Sequence, residues 1–329
     1  MRAKNIPTVS LGLIGLGLWG EKLLLACRSL GITVSVTDTD PKRIKHIQKL
    51  YPNIRVLPTS DDIFDDQNIT ACIIATPPHT HFQLAKNALL HEKHVLVEKP
   101  ITQNPTEAKQ LIALAEKSAR ILMVDHIFLF SPVVHTIKHL LKKGTIGTVQ
   151  KIISTREKGR MHPDSTVLWD LVPHDISIAS FLLDANPTKG RILTCDKAEN
   201  QILNDVTYQL FYPYDVLLQG HVSWITPIKK RSMEIIGDTG KIIVRWNKKT
   251  ETLSHYETKR HIKKLSYAKK KHYNLKPKEE PMKTMLKHFI KSIVSNHKPC
   301  TDGYHAYDVI KAIRALDRSS QNKNTLIRI

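Results

Sequence analysis

The chain has 329 residues, with 50 Lys and Arg against 30 Asp and Glu, for a net charge of +20. That length suits two domains of ordinary size, and a hydrophobic share of 41% sets aside disorder and collagen-like sequence. With no apolar run of 18 residues, no membrane-spanning helix is expected.

Arg2 and Lys4 precede the apolar run from Val9 to Trp19. The run is Gly-rich, Glu21 and Lys22 follow at once, and no small-residue cleavage pattern appears, so it reads as strand and loop rather than a secretion signal. Val9–Ile14 is a continuous apolar stretch of the kind a buried parallel strand shows. Helix follows from Glu21 to Leu30 and ends at Gly31. Thr33–Thr37 is a β-branched strand. Asp40-Pro41 then opens a helix to Leu50, with Pro at its first position. Ala71–Thr76 is a strand, Thr80–His91 a helix and His94–Glu98 a strand. Asn104-Pro105-Thr106-Glu107 starts a helix to Ala119 with an Asn cap and Glu three residues on. Ile121–Val124 is the next strand. The repeated βα rhythm predicts an α/β fold, a doubly wound parallel Rossmann sheet over residues 1–125.

The rhythm then changes. Helices are expected at Pro132–Lys143 and Trp169–Leu183. Strands follow at Val206–Tyr212, Val216–Trp224, Ser232–Ile236 and Lys241–Trp246, the last two joined by the tight turn Gly237-Asp238-Thr239-Gly240. Helices at Pro281–Ser295 and Tyr304–Ser319 close the chain. Residues 126–329 therefore read as an α+β domain with a largely antiparallel open sheet. Apolar residues on both parities of Val216–Trp224 suit a sheet covered on two faces, as in a homodimer or homotetramer.

Cys27, Cys72, Cys195 and Cys300 are scattered, without C-x-x-C or zinc spacing. They read as buried free thiols of a reducing, cytoplasmic compartment. Basic residues concentrate at Lys259-Arg260-His261-Ile262-Lys263-Lys264 and Lys269-Lys270-Lys271, with Tyr267 and Tyr273 interleaved. Without a helix-turn-helix, finger or RNP motif this is read as a solvated surface loop, not a nucleic-acid site, although its field draws anionic substrates.

Gly15-Leu16-Gly17-Leu18-Trp19-Gly20 fits G-x-G-x-x-G, directly after a strand and opening a helix. The first glycine allows the tight turn, the second lets a pyrophosphate approach the backbone, and the third lets helix and strand pack closely. The helix N-terminus offers unpaired N–H groups to the phosphates. Asp38 ends the second strand, where a carboxylate accepts from both ribose hydroxyls of NAD and repels a 2′-phosphate. Lys42 and Arg43 stand close to it, and the reading favours NAD over NADP.

Gly15 to Gly20, then Ala75-Thr76-Pro77-Pro78 with His81, then Glu98-Lys99-Pro100, at these spacings, resemble the Gfo/Idh/MocA oxidoreductases. Trp169-Asp170-Leu171-Val172-Pro173-His174-Asp175 resembles that family's D-x-x-x-H motif. The resemblance implies hydride transfer between a nicotinamide and a hydroxyl or ketone carbon, with Lys99, Asp170 and His174 as the catalytic group. An imidazole takes a hydroxyl proton near neutral pH, and an ammonium hydrogen-bonds a developing oxyanion. Lys99 and His174 both remain open as the proton carrier. Asp170 and His174 share a face if the helix is regular, although Pro173 constrains its start. The resemblance further implies Thr76 and Pro77 at the cofactor, His81 either lining the nicotinamide side or packing, Glu98 by the cofactor ribose or orienting the strand end, and a cis bond before Pro100. His79 and His81 lack the further ligands a metal site needs, and no metal is assigned.

The version of the motif here resembles members found in surface polysaccharide synthesis, some of which oxidise C3 of UDP-N-acetylglucosaminuronate. Thr166-Val167-Leu168 stands where inositol dehydrogenase-like relatives carry a Gly-Gly run. The expected substrate is a nucleotide sugar, with a free sugar or cyclitol as the alternative. Arg156, Lys158 and Arg160 are expected either to pair with its anionic groups or to be ordinary surface charge. A dinucleotide-sensing or nucleic-acid-associated protein without turnover is the reading of another class.

Overall fold

In a computed structural model of the protein, residues 9–158, 165–199, 201–246, 251–261, 264–275 and 279–329 are described. The chain divides into two compact units. The first takes the chain up to Ile127 together with Glu279–Tyr307, and the second takes Phe128–Lys278 and Asp308–Ile329.

In the first unit β1 (Leu11–Ile14), α1 (Leu18–Ser29), β2 (Val34–Thr37), α2 (Pro41–Leu50), β3 (Arg55–Val56) and α3 (Ser60–Asp65) are followed by β4 (Ala71–Ile74), α4 (Pro78–Leu90), β5 (His94–Glu98), α5 (Pro105–Lys117) and β6 (Leu122–Asp125). Among the described residues the strands form one parallel sheet in the order β3-β2-β1-β4-β5-β6. β1, β2, β4 and β6 are buried at every position, as expected where helices cover both faces. The order reverses between β1 and β4, so the crevice beyond their carboxyl ends is where such a sheet takes a ligand.

Local chemistry sets the helix starts. Asp40 caps α2 by accepting from Lys42 N at 2.9 Å, with Pro41 in the first turn. Asn104 caps α5 in the same way, accepting from Thr106 N at 2.9 Å. Glu107 takes the hydroxyl of Thr102 instead of closing a reciprocal capping box.

The second unit contains α6 (Pro132–Lys142), β7 (Val149–Glu157), α7 (Val167–Leu183), β8 (Lys189–Lys197), β9 (Leu203–Phe211), β10 (Leu217–Ser223), β11 (Lys230–Gly237), β12 (Gly240–Trp246), β13 (Glu251–His261) and β14 (Lys264–Leu275). After α8 (Pro281–Ser295), which belongs to the first unit, come α9 (Gly303–Gln321) and β15 (Ile327–Arg328). Its strands form one sheet in the order β14-β13-β12-β11-β7-β10-β9-β8-β15. Only the β7–β10 pair is parallel. Burial alternates along β9 and β12, the signature of one face packed and one partly open. Gly220 of β10 stands opposite Tyr208 of β9, and a Cβ there would meet the tyrosine ring at 2.2 Å, so glycine is what admits this buried ring.

Several expectations need correction. The single boundary at 125/126 misses the return of the chain: Val124 N donates to Thr301 O at 2.8 Å and Met123 bridges Asp302, tying the segment after α8 to β6. The basic stretch expected to be a loop forms β13 and β14, with Ile262 and Lys263 outside the described residues. Lysine is disfavoured in strands generally, yet β14 is the sheet edge, where charged side chains discourage pairing with other chains. β7 and β8, absent from the sequence reading, alternate polar and apolar positions with many charges. Cys27 and Cys72 are buried, and burial pushes both thiols up to about 12, but Cys195 is half-buried and Cys300 exposed. Among the described residues no helix is long and apolar enough to cross a membrane.

Candidate active site

In the first unit the glycine loop leaves β1 at Gly15, whose φ of +95° is strained for any side chain and where a Cβ would lie 2.6 Å from Ala75 O. At Gly20 a Cβ would lie 2.0 Å from Gly15 O, so helix and loop touch through glycine alone. Gly17 differs: among the described residues a Cβ there would meet only Arg43 Nη1, at an ordinary 3.7 Å, and no backbone atom closes over the loop. Gly17 is also the N-cap of α1 and supplies no capping side chain. The first N–H groups of that helix therefore face the open side, as a phosphate requires. Leu18 is 75% exposed beside them.

Asp38 follows β2 and closes the loop from the side. Its Oδ2 accepts from Leu16 N at 2.6 Å and its Oδ1 from Asp40 N at 2.8 Å. Arg43 reaches the same Oδ2 at 3.3 Å, an ion pair that partly offsets the carboxylate charge expected to exclude a 2′-phosphate. Thr76 borders Gly15, its methyl 2.9 Å from where a Cβ would stand, and its hydroxyl meets Thr80 at 2.6 Å. Pro77 precedes the first turn of α4. The structure thus brings together Gly15, Gly17, Leu18, Gly20, Asp38 and Thr76.

His81 was expected either to line the nicotinamide side or to pack. It is fully buried, its Nδ1 2.7 Å from Pro100 O and its Nε2 2.8 Å from Thr76 O. It acts as a strut between the segments beyond β4 and β5, and burial lowers its pKa.

Lys99 stands at the end of β5, half-buried, and its bond to Pro100 is cis. Glu98 turns to Asp125, its register partner on β6, rather than to an open ribose position. Burial, then the charge of Asp125, raise the Glu98 pKa well above the carboxylate range, which favours a proton shared between the two carboxyl groups. Trp19 Nε1 donates to Asp125 Oδ2 at 2.9 Å and anchors the glycine loop to this strand end. His126, also buried, packs edge-on to His305 at 5.0 Å; burial, His305 and Lys99 hold it neutral. Asp125 and His126 were missed in sequence, although a strand-end position was the signal that could have found them.

In the second unit α7 starts at Val167, two residues earlier than expected, and runs through Pro173. Helical spacing holds across the proline, so Asp170 and His174 lie one turn apart. Asp170 Oδ2 accepts from Lys158 Nζ at 3.0 Å and from Trp224 Nε1 at 3.1 Å. His174 packs edge-on against Phe128 at 4.9 Å, and Phe128 against Trp246 at 5.6 Å.

Arg156, expected either at the substrate or as surface charge, is 2% exposed. Its Nε donates to buried Asp175, which also accepts from Ser154 at 2.7 Å and from Tyr208 at 2.9 Å. Burial and Asp175 raise the Tyr208 pKa, keeping its hydroxyl a donor. Arg156 is therefore a core residue, its guanidinium 4.5 Å from the Phe128 ring. Arg160 lies outside the described residues. Arg231, missed in sequence, faces Arg156 directly across the β7–β11 pair.

Two family matches fall one on each part of the chain. Residues 9–126 match the "Oxidoreductase family, NAD-binding Rossmann fold" description of Gfo/Idh/MocA proteins. Residues 134–243 match the GFO/IDH/MocA C-terminal domain. An uncharacterized oxidoreductase, YdgJ, of Escherichia coli K12 is 36% identical over 150 residues, 42% of this chain and 43% of that protein. UDP-N-acetylglucosamine 3-dehydrogenase of Acidithiobacillus ferrooxidans is 27% identical over 198 residues, 57% of this chain and 60% of that protein. The chain thus spans less than two thirds of the length of either relative. The solved structure of the latter enzyme, GnnA, superposes with a TM-score of 0.80 at 21% identity, covering 94% of this chain and 98% of that one, a likeness of fold. The two domain matches follow one another along more than two thirds of the sequence, and the chain belongs to the Gfo/Idh/MocA family of oxidoreductases.

Proposed function

We propose that this protein is an NAD(P)-dependent dehydrogenase that moves hydride between a nicotinamide and a secondary hydroxyl or ketone of a sugar, with a nucleotide sugar as its substrate and NAD as the favoured cofactor. The observation that carries the reading is the glycine loop: Gly17 leaves room over uncapped N–H groups of α1, with Asp38 beside it. The residues present fit a dinucleotide.

When bound, the nicotinamide supplies the hydride acceptor. The chain's own groups handle the proton and the oxygen. Lys99 donates a hydrogen bond to the oxygen of the reacting carbon and stabilises charge as it develops there. The hydroxyl proton passes to the imidazole of His174 or to the amine of Lys99 as hydride leaves the carbon. Asp170, fixed by Lys158 and Trp224, orients a substrate hydroxyl or the imidazole one turn along α7. The nucleotide-sugar part is supported by the relationship to UDP-N-acetylglucosamine 3-dehydrogenase and by the +20 charge, which suits an anionic substrate.

The test is titration of the full chain with NADH and NADPH, read by energy transfer from tryptophan, with and without UDP-N-acetylglucosamine. Micromolar NADH binding is expected. Turnover of a sugar should fall about 10²–10⁴-fold in Lys99→Ala and His174→Ala while NADH binding persists. If neither dinucleotide binds at micromolar concentration, the reading fails.

A further inference from the structure

We propose that Arg231 anchors an anionic oxygen group of the substrate, a carboxylate or a phosphate, beside His174; the assignment deepens the reading above and rests on it. The argument begins with strand register. Arg231 and Arg156 are direct partners on β11 and β7, so two guanidinium groups project on the same face of the sheet. Like charges directly opposite are destabilising. Both guanidinium groups lie close to one ring: Arg156 at 4.5 Å and Arg231 at 5.7 Å from the centroid of Phe128. That same ring packs against His174.

The charges of Asp170 and Asp175 favour the Arg231 cation, but burial and Arg156 outweigh them, and both carboxylates are hydrogen-bonded to other groups. Asp175 is consumed by Arg156, Ser154 and Tyr208. Asp170 holds Lys158 and Trp224. Among the described residues no ion pair forms at Arg231. Burial and the charge of Arg156 lower its pKa to about 10, so it remains a cation at neutral pH. A partly desolvated cation set against another cation is a cost to the empty protein. A carboxylate or phosphate would offset that cost, and a guanidinium fork matches either group with two parallel hydrogen bonds. The two arginines divide the work. Arg156 is buried on Asp175 and contributes field, whereas Arg231 is half-buried and can reach a ligand.

The experiment measures dissociation constants of the full-length protein by ligand-observed NMR, with and without NADH. Glucose is the uncharged reference, glucuronate presents a carboxylate, and glucose 6-phosphate and UDP-glucose present phosphate. Wild type should bind at least one anionic ligand about tenfold more tightly than glucose, and the ligand preferred identifies carboxylate or phosphate. Arg231→Gln should abolish that preference and leave glucose binding within about twofold. Arg231→Lys should keep part of it, as a charge without the fork. The unliganded Arg231→Gln protein should also melt higher than wild type, because a like charge opposite Arg156 is gone. The proposal is overturned if wild type shows no preference for either anion, if the preference survives in Arg231→Gln, or if that variant melts lower. Loss of dinucleotide binding would sink the dehydrogenase reading without touching these constants in the cofactor-free arm.

Discussion

The glycine loop of the first unit and the charged cluster of the second are built on opposite principles. The loop is shaped by what is missing: Gly15 and Gly20 leave no space for a Cβ, and at Gly17 a Cβ would meet, among the described residues, nothing nearer than Arg43 Nη1 at 3.7 Å. The cluster is shaped by what is present in excess, with Arg156, Arg231 and Lys158 against Asp170 and Asp175. A site made by omission is largely local, because its glycines lie within six consecutive residues and only Ala75, Thr76 and Asp38 close on them from elsewhere. A site made by charge balance is distributed, because each partner arrives from a different strand or helix.

The largest way to break this contrast is Asp175→Ala. It strands buried Arg156 and removes the acceptor of Tyr208 and Ser154. Urea denaturation should show a loss of about 3–5 kcal/mol. Replacing Arg156 and Asp175 together by Met and Leu should cost far less, since no charge is left alone. A loss under about 1 kcal/mol for the single variant would mean that the network does not hold the charged cluster.

Next in size is Gly20→Ala, whose Cβ would meet Gly15 O. About 1–3 kcal/mol of stability should go, and NADH titration should show binding lost with it. Gly17→Ala sharpens the comparison, because its Cβ meets no backbone atom. Its melting temperature should hold while NADH affinity falls, as only the bound phosphate would feel the methyl group. Equal damage by the two substitutions would refute the division of labour within the loop.

A smaller effect is expected at Glu98. Folded Glu98 keeps its proton at pH values where the unfolded chain has released it. Its contribution to stability is therefore full below the ordinary glutamate value and falls as pH rises toward the raised one. Glu98→Gln should flatten that decline, so its melting temperature relative to wild type should be higher at pH 8 than at pH 5. The smallest effect is expected from Arg43→Ala. The Arg43 side chain is 50% exposed, so breaking its pair with Asp38 should change stability by under about 1 kcal/mol. The ratio of NADPH to NADH affinity should drop, because a cation near the ribose position is removed and Asp38 is left alone.

Legibility followed the same division. The first sheet could be read in chain order because its strands are short apolar runs and its helices carry their own starts, Asp40-Pro41 and Asn104-Pro105. The roles of Glu98 and His81 could not. Both belong to motifs that are visible in sequence, yet one carboxyl faces Asp125 on the neighbouring strand and the imidazole is closed between two carbonyls. In the second unit the charges along β7 hid a central strand, and Arg156 could be read only as a substrate or surface charge because nothing nearby in sequence announces Asp175 and Tyr208 as its neighbours.

By itself, the sequence determined the alternating βα unit, the phosphate-shaped loop from Gly15 to Gly20, and the four-residue spacing of Asp170 and His174, which becomes one helical turn because α7 runs through Pro173. Each depends on backbone conformation over a few consecutive residues, which composition and periodicity encode directly. Only the tertiary structure decided that Val124 and Met123 pair with the segment at Thr301 and Asp302, that β13 and β14 extend the second sheet, and that Arg231 faces Arg156. Strand register and the balance of buried charge depend on partners far apart in the chain, and those partners meet only when the sheets have formed.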